Sequence, residues 1–102
     1  MTNELVIDVF RQDGTAVLSL QGELDLRYRE LVADTAIGLL GEGVTVIADL
    51  GGVTFVDSAG LSALVRARKE ADRVGGCFRV RSPMASVANT LRVTGLADWL
   101  IT

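Results

Sequence analysis

Residues 44–50, Val-Thr-Val-Ile-Ala-Asp-Leu, are rich in β-branched side chains and carry a single charge. Such a run reads as a strand at the centre of a sheet, apolar on both faces, as parallel strands are when helices cover them. Gly51-Gly52 breaks it. Over residues 59–74 the apolar period changes: Leu61, Leu64, Ala67, Ala71 and Val74 keep helical spacing, while Arg66, Lys69, Glu70, Asp72 and Arg73 fall on the water side. A central strand running into an amphipathic helix is half of a crossover unit, and crossovers between parallel strands are right-handed.

The flanks complete a layered structure. Residues 4–10 alternate loosely, with Leu5, Ile7 and Val9 on one face; Asp13-Gly14 signals a turn; residues 15–21 alternate again. This predicts an antiparallel hairpin whose second strand ends at Gly22. Residues 25–40 predict a helix capped by Asp25, with Tyr28, Leu31, Val32, Thr35, Ala36, Leu39 and Leu40 on the inner stripe and Gly41-Glu42-Gly43 as its stop. Residues 77–81 predict a strand near a sheet edge, Phe78 and Val80 inward and the arginines outward. Ser82-Pro83 predicts the N-cap and first turn of a third helix, with Met84, Val87, Ala88 and Leu91 on one face and Gly95 just past its end. Residues 96–101 predict a short closing helix or strand. The order β-β-α-β-α-β-α gives an α/β fold class. We expect a mixed, mainly parallel sheet of four to five strands, helices packed mainly on one face, and residues 1–102 forming one domain.

Composition matters for what it excludes. A net charge of −3 lacks the basic footprint that nucleic acid requires. Mean hydropathy is +0.38, yet no apolar run approaches the roughly 18 residues of a membrane span; the surplus is sheet core. The first residues, Met-Thr-Asn-Glu-Leu, predict no signal peptide. There is no histidine and one cysteine, Cys77. These counts remove histidine-dependent triads, histidine-dependent or cysteine-rich zinc sites and any internal disulfide, and they fit a reducing cytoplasm. Cys77 lacks a partner base and reads as a small buried hydrophobe. Gly51-Gly52 is too short to cradle a phosphate. No cofactor or metal is expected.

One point in the chain places chemistry. Ser58 falls where the turn after the central strand ends and the next helix begins, a position with unpaired backbone N–H groups and the positive end of the helix dipole. Its hydroxyl can cap the helix or be a site of modification. Asp57 is favourably placed beside the dipole, Gly60 permits a close approach, and Thr54-Phe55-Val56 anchors the loop from beneath. Open α/β sheets carry their function outside the carboxyl ends of their strands, where this turn lies. Asp25 and Asp57 read more simply as helix caps than as an acid/base pair.

The run Asp49-Leu-Gly-Gly-Val-Thr-Phe-Val-Asp57-Ser58-Ala-Gly60-Leu61 resembles the phosphorylation signature of the anti-sigma factor antagonists, the STAS domain family. Gly22-Glu-Leu-Asp25 resembles that family's second motif, and Leu91-Arg-Val-Thr-Gly-Leu96 its C-terminal pattern, in family order over nearly the whole chain. The resemblance implies that Ser58 is a phosphoacceptor and that Asp25, Asp57, Ser58, Ala59, Gly60 and Leu61 form the partner-binding region. The implied partners are an anti-sigma factor that is also an ATP-dependent serine kinase, and a serine phosphatase that resets the phosphorylated form. The chain itself is then a regulatory binding module and no enzyme. A STAS scaffold subunit of a lipid-transport or stress-signalling complex, without a phosphorylation cycle, is the other role the resemblance admits. Ala59 stands where many relatives have Ser or Thr, leaving Ser58 as the acceptor within the motif. Leu26-Arg27-Tyr28-Arg29 departs from the small or proline-containing sequence often found after the aspartate.

Overall fold

Alternating side chains build the sheet, and glycines shape it. In the computed structural model, which describes residues 4–101, β1 (Val6–Gln12), β2 (Thr15–Leu24), β3 (Thr45–Val56) and β4 (Phe78–Arg81) lie side by side in chain order. β1 and β2 are antiparallel; β2–β3 and β3–β4 are parallel. Asp13 and Gly14 close the hairpin, both at positive φ (49° and 77°), the backbone twist that a two-residue hairpin turn demands. After β2 comes a 3-10 turn (Leu26–Tyr28) leading into α1 (Arg29–Leu40). α2 (Ser58–Val74) joins β3 to β4, and α3 (Ala85–Val93) and α4 (Ala97–Ile101) end the described chain. The predicted class stands: four strands, two of the three pairings parallel. No helix among the described residues is long and apolar enough to cross a membrane.

Both inner strands run past their predicted ends. β2 continues through Gly22 to Leu24, and β3 continues through Gly51-Gly52 to Val56. These glycines do not stop the ladder; they accommodate shifts in its register between Ser19 and Gln21 and between Gly22 and Glu23. Gly22 sits at φ 114°, and a Cβ there would lie 2.2 Å from the Glu4 carbonyl oxygen. No other residue fits that close approach.

The helices cover the sheet on one face, as the element order leads one to expect, although residues 44–50 are apolar on both sides. One face is sealed: Ala16, Leu18, Leu20, Val46, Ala48, Leu50, Phe78 and Val80 are buried with Val32 and Ala36 of α1, Leu64 and Ala67 of α2, Leu91 of α3 and Leu100 of α4. On the other face Val17, Ser19, Ile47 and Asp49 are only half-buried. The reason is chirality. Two successive right-handed crossovers, β2 to β3 and β3 to β4, advance in the same direction, so both helices fall on one side.

Smaller corrections follow from local geometry. Ser82 adopts φ 55° and stands in the turn before α3, whose N-cap is Met84, so Ser82-Pro83 does not begin that helix. Leu31, Val74 and Met84, expected inside, are exposed, and Cys77 is half-buried. The closing element is a helix. Trp99 in it packs against the core, with the Arg68 guanidinium 5.3 Å from its ring centroid.

Candidate functional site

The carboxyl end of β3 delivers Val56 into the core and Asp57 to the mouth of α2. Asp57 is extended (φ −103°, ψ −175°), and its Oδ1 accepts the Gly60 N–H at 2.8 Å. Asp57, not Ser58, therefore caps α2, because its backbone is the last to remain extended and its carboxylate reaches three residues ahead. Ser58 is already the first helical residue. It is exposed, and its hydroxyl makes no hydrogen bond among the described residues. The hydroxyl is free of structural duty at a position where an added anion meets unpaired N–H groups and a favourable dipole.

Gly60 brings a second segment to this point. A Cβ on it would lie 2.2 Å from the Leu24 carbonyl oxygen and 2.8 Å from Val56 Cγ2. Its bare Cα lets the first turn of α2 press on the end of β2, where the Asp57 N–H also donates to the Leu24 carbonyl at 3.3 Å. Asp25, one residue on, is thereby held beside the α2 N-terminus. It caps the 3-10 turn by accepting the Arg27 N–H at 3.0 Å. The Arg27 guanidinium clasps both Asp25 oxygens, with Nη2 2.8 Å from Oδ2 and Nε 3.0 Å from Oδ1. The side-chain hydrogen bonding from Arg27 holds the Asp25 carboxyl below its ordinary value, against the opposing effect of desolvation. Arg27 also lies 5.0 Å from the centroid of the Tyr28 ring.

The six residues named from sequence thus come together but do not share one exposure. Ser58 is exposed; Asp25, Asp57 and Ala59 are half-buried; Gly60 and Leu61 are buried and form the floor. Gly60 faces the end of β2, not solvent. The loop is anchored by Val53 and Val56, while Thr54 and Phe55 are exposed, the reverse of the anchoring expected of Phe55. Leu26 and Phe55, 63% and 48% exposed, are named in the sequence reading but not placed in the partner-binding region. The signal was available: Leu26 follows a capping aspartate directly, and Phe55 lies between the two inward valines. Chemically the two carboxylates serve separate caps and share no proton. Among the described residues no base is hydrogen-bonded to Ser58. The arrangement presents a hydroxyl to an outside reagent and does not activate it as a nucleophile.

The family model described as the STAS domain matches residues 6–102. An anti-sigma F factor antagonist of Lysinibacillus sphaericus is 27% identical over 89 residues, covering 85% of this chain and 76% of the relative. The anti-sigma factor antagonist SpoIIAA in its unphosphorylated form superposes with a TM-score of 0.80 at 23% identity, covering 94% of this chain and 86% of that one. The Bacillus cell fate determinant SpoIIAA in its phosphorylated form gives a TM-score of 0.73 at 22% identity, covering 94% and 89%. The matched residues, 6–102, take in every strand and helix described above, and the chain belongs to the STAS domain family.

Proposed function

We propose that this chain is an anti-sigma factor antagonist switched by phosphorylation at Ser58. In this reading residues 1–102 act as one cytoplasmic domain that binds an anti-sigma factor and so frees a sigma factor, with no part for nucleic acid. The anti-sigma factor doubles as an ATP-dependent serine kinase. Phosphorylated at Ser58, the chain lets go, and a serine phosphatase resets it. Asp25, Asp57, Ser58 and Ala59 meet the partner, while Gly60 and Leu61 hold them in place. The chain is a substrate and a ligand, not a catalyst.

The observation that carries the reading is the exposed Ser58 hydroxyl, unbonded, beside a helix already capped by Asp57. The names of the relatives, and the existence of a phosphorylated form of one of them, agree with it. Phosphorylation adds a charge of about −1.5 to −2. The fold tolerates it, since an anion at a helix N-terminus is favourable. The complex does not: a dianion buried against a partner that offers no matching arginine must be desolvated or repelled, and like-charge juxtaposition across an interface costs several kcal/mol. At about 1.4 kcal/mol per tenfold, affinity falls on the order of a hundredfold or more.

The test is capture of partners by wild type, Ser58→Ala and Ser58→Asp, with mapping of the phosphorylated residue by mass spectrometry. Wild type and Ser58→Ala retain a kinase-type partner, Ser58→Asp loses it, and ATP modifies Ser58 alone. Equal retention by Ser58→Asp would overturn the switch and leave the scaffold role.

A further inference from the structure

The uncovered face of the sheet has a pattern that none of the Ser58 chemistry uses. The strand registers set its side chains in rows that run from β1 to β4. One row is Asp8, Ser19, Asp49, Arg81; the next is Phe10, Val17, Ile47, Arg79. Phe10 is 61% exposed at one edge of the apolar row. Arg79 and Arg81 are exposed at the other, and Val17 and Ile47 are half-buried between. Arg81 reaches Asp49 at 3.2 Å. Asp8 and Arg79 have no ion-pair partner among the described residues.

We propose that this face is the contact surface of a symmetric dimer, in which two copies stack their open sheets about a twofold axis parallel to the strands. Rotation about such an axis exchanges the two sides of the sheet. β1 of one copy then covers β4 of the other, and β2 covers β3. Row by row the contacts are complementary. Asp8 meets Arg81, Ser19 offers its hydroxyl to Asp49, Val17 packs on Ile47, and Phe10 lies under Arg79 as a cation–π pair. The alternative axis, perpendicular to the strands, sets acidic edge on acidic edge and basic on basic. The charge pattern therefore selects both the occupant and its orientation. Aligned stacking within about 30° is a common packing of two twisted sheets. Four strands at about 4.8 Å spacing make a face only about 20 Å wide. The dimer consequently belongs among the small, reversible interfaces below about 1,200 Å². The face lies beside the middle of the sheet and the Ser58 turn at one end of it, so the dimer leaves that turn open and does not rest on the function proposed for it.

Sedimentation velocity on the full chain from about 20 μM to about 1 mM tests this. Wild type shows a concentration-dependent dimer. Asp8→Arg alone and Arg81→Asp alone each weaken it by roughly tenfold or more, and an equimolar mixture of the two regains it, because each reversed charge then faces its complement. Arg81→Asp places a carboxylate beside Asp49; should that variant misfold by circular dichroism, Phe10→Ser and Arg79→Ser, both at exposed positions, take its place and abolish the dimer. A wild type that stays monomeric throughout the range overturns the proposal. So does a dimer that survives Phe10→Ser and the charge reversals, as one joined edge to edge through β1 would.

Discussion

At the scale of single residues, neighbours divide the work at the α2 N-terminus. Asp57 supplies the cap through its 2.8 Å contact to the Gly60 N–H. Asp57→Ala should cost about 1 kcal/mol, the usual loss of an N-cap, whereas Ser58→Ala, removing an unbonded exposed hydroxyl, should stay within about 0.5 kcal/mol; urea denaturation separates the two. Arg27 governs Asp25. In Arg27→Ala the Asp25 carboxyl should titrate upward, toward the ordinary aspartate value, in a carbon-detected NMR titration. The sign for stability follows: a depressed carboxyl contributes above its unfolded value and loses the contribution as pH falls through its folded value. The Asp25–Arg27 link therefore persists at neutral pH and is lost only below the usual aspartate range. The family resemblance, and not the residue pattern, put Asp25 together with Asp57 and Ser58 at one site. The sequence left open which of the adjacent Asp57 and Ser58 takes the cap, since both are good N-caps and the choice rests on which residue leaves the extended conformation last.

At the scale of elements, α2 and the end of β2 meet at Gly60. Gly60→Ala adds a methyl 2.2 Å from the Leu24 carbonyl oxygen, nearer than any carbon is tolerated. A gain in helix propensity of up to about 1 kcal/mol offsets part of an overpacking cost of about 1–3 kcal/mol. Because the obstacle is backbone, the cost prevails. We expect a net loss of about 1–2 kcal/mol in urea denaturation and a shift of the Asp25 amide resonance as the 3-10 turn is pushed away from α2. The period of each element was legible, as were the central position of β3 and the helical stripes through Ala36, Leu64 and Leu91. Strand ends were not. Gly22 and Gly51-Gly52 punctuate the sequence as breaks, but a neighbouring strand stretches the ladder across them, and pairing of that kind is a property of two segments at once.

At the scale of the molecule, the sheet is covered on one side by all four helices, with the Ser58 turn at its end. The core is a continuous cluster, so Leu64→Ala, at a fully buried position, should cost about 2–5 kcal/mol, a large share of the 5–15 kcal/mol typical of a domain. Stoichiometric phosphorylation at Ser58, by contrast, should leave hydrogen-exchange protection in β2 and β3 unchanged, with any difference confined to the first turn of α2. Protection lost across the sheet would mean that the modification refolds the molecule. One-sided coverage was legible in the order of the elements and not in residues 44–50, where Ile47 is as apolar as the buried side chains beside it; handedness of the crossovers, not hydrophobicity, assigns the dry side.

A proteolytic system recognises chains by how often they open, and opening is set by caps and core. Since the helix here is fastened by Asp57 and not by Ser58, the two forms of the serine that the proposed switch requires would be equally durable. A cell could then hold stocks of either form for the same lifetime, and the ratio between them would record only the opposing enzymes that write and erase the mark.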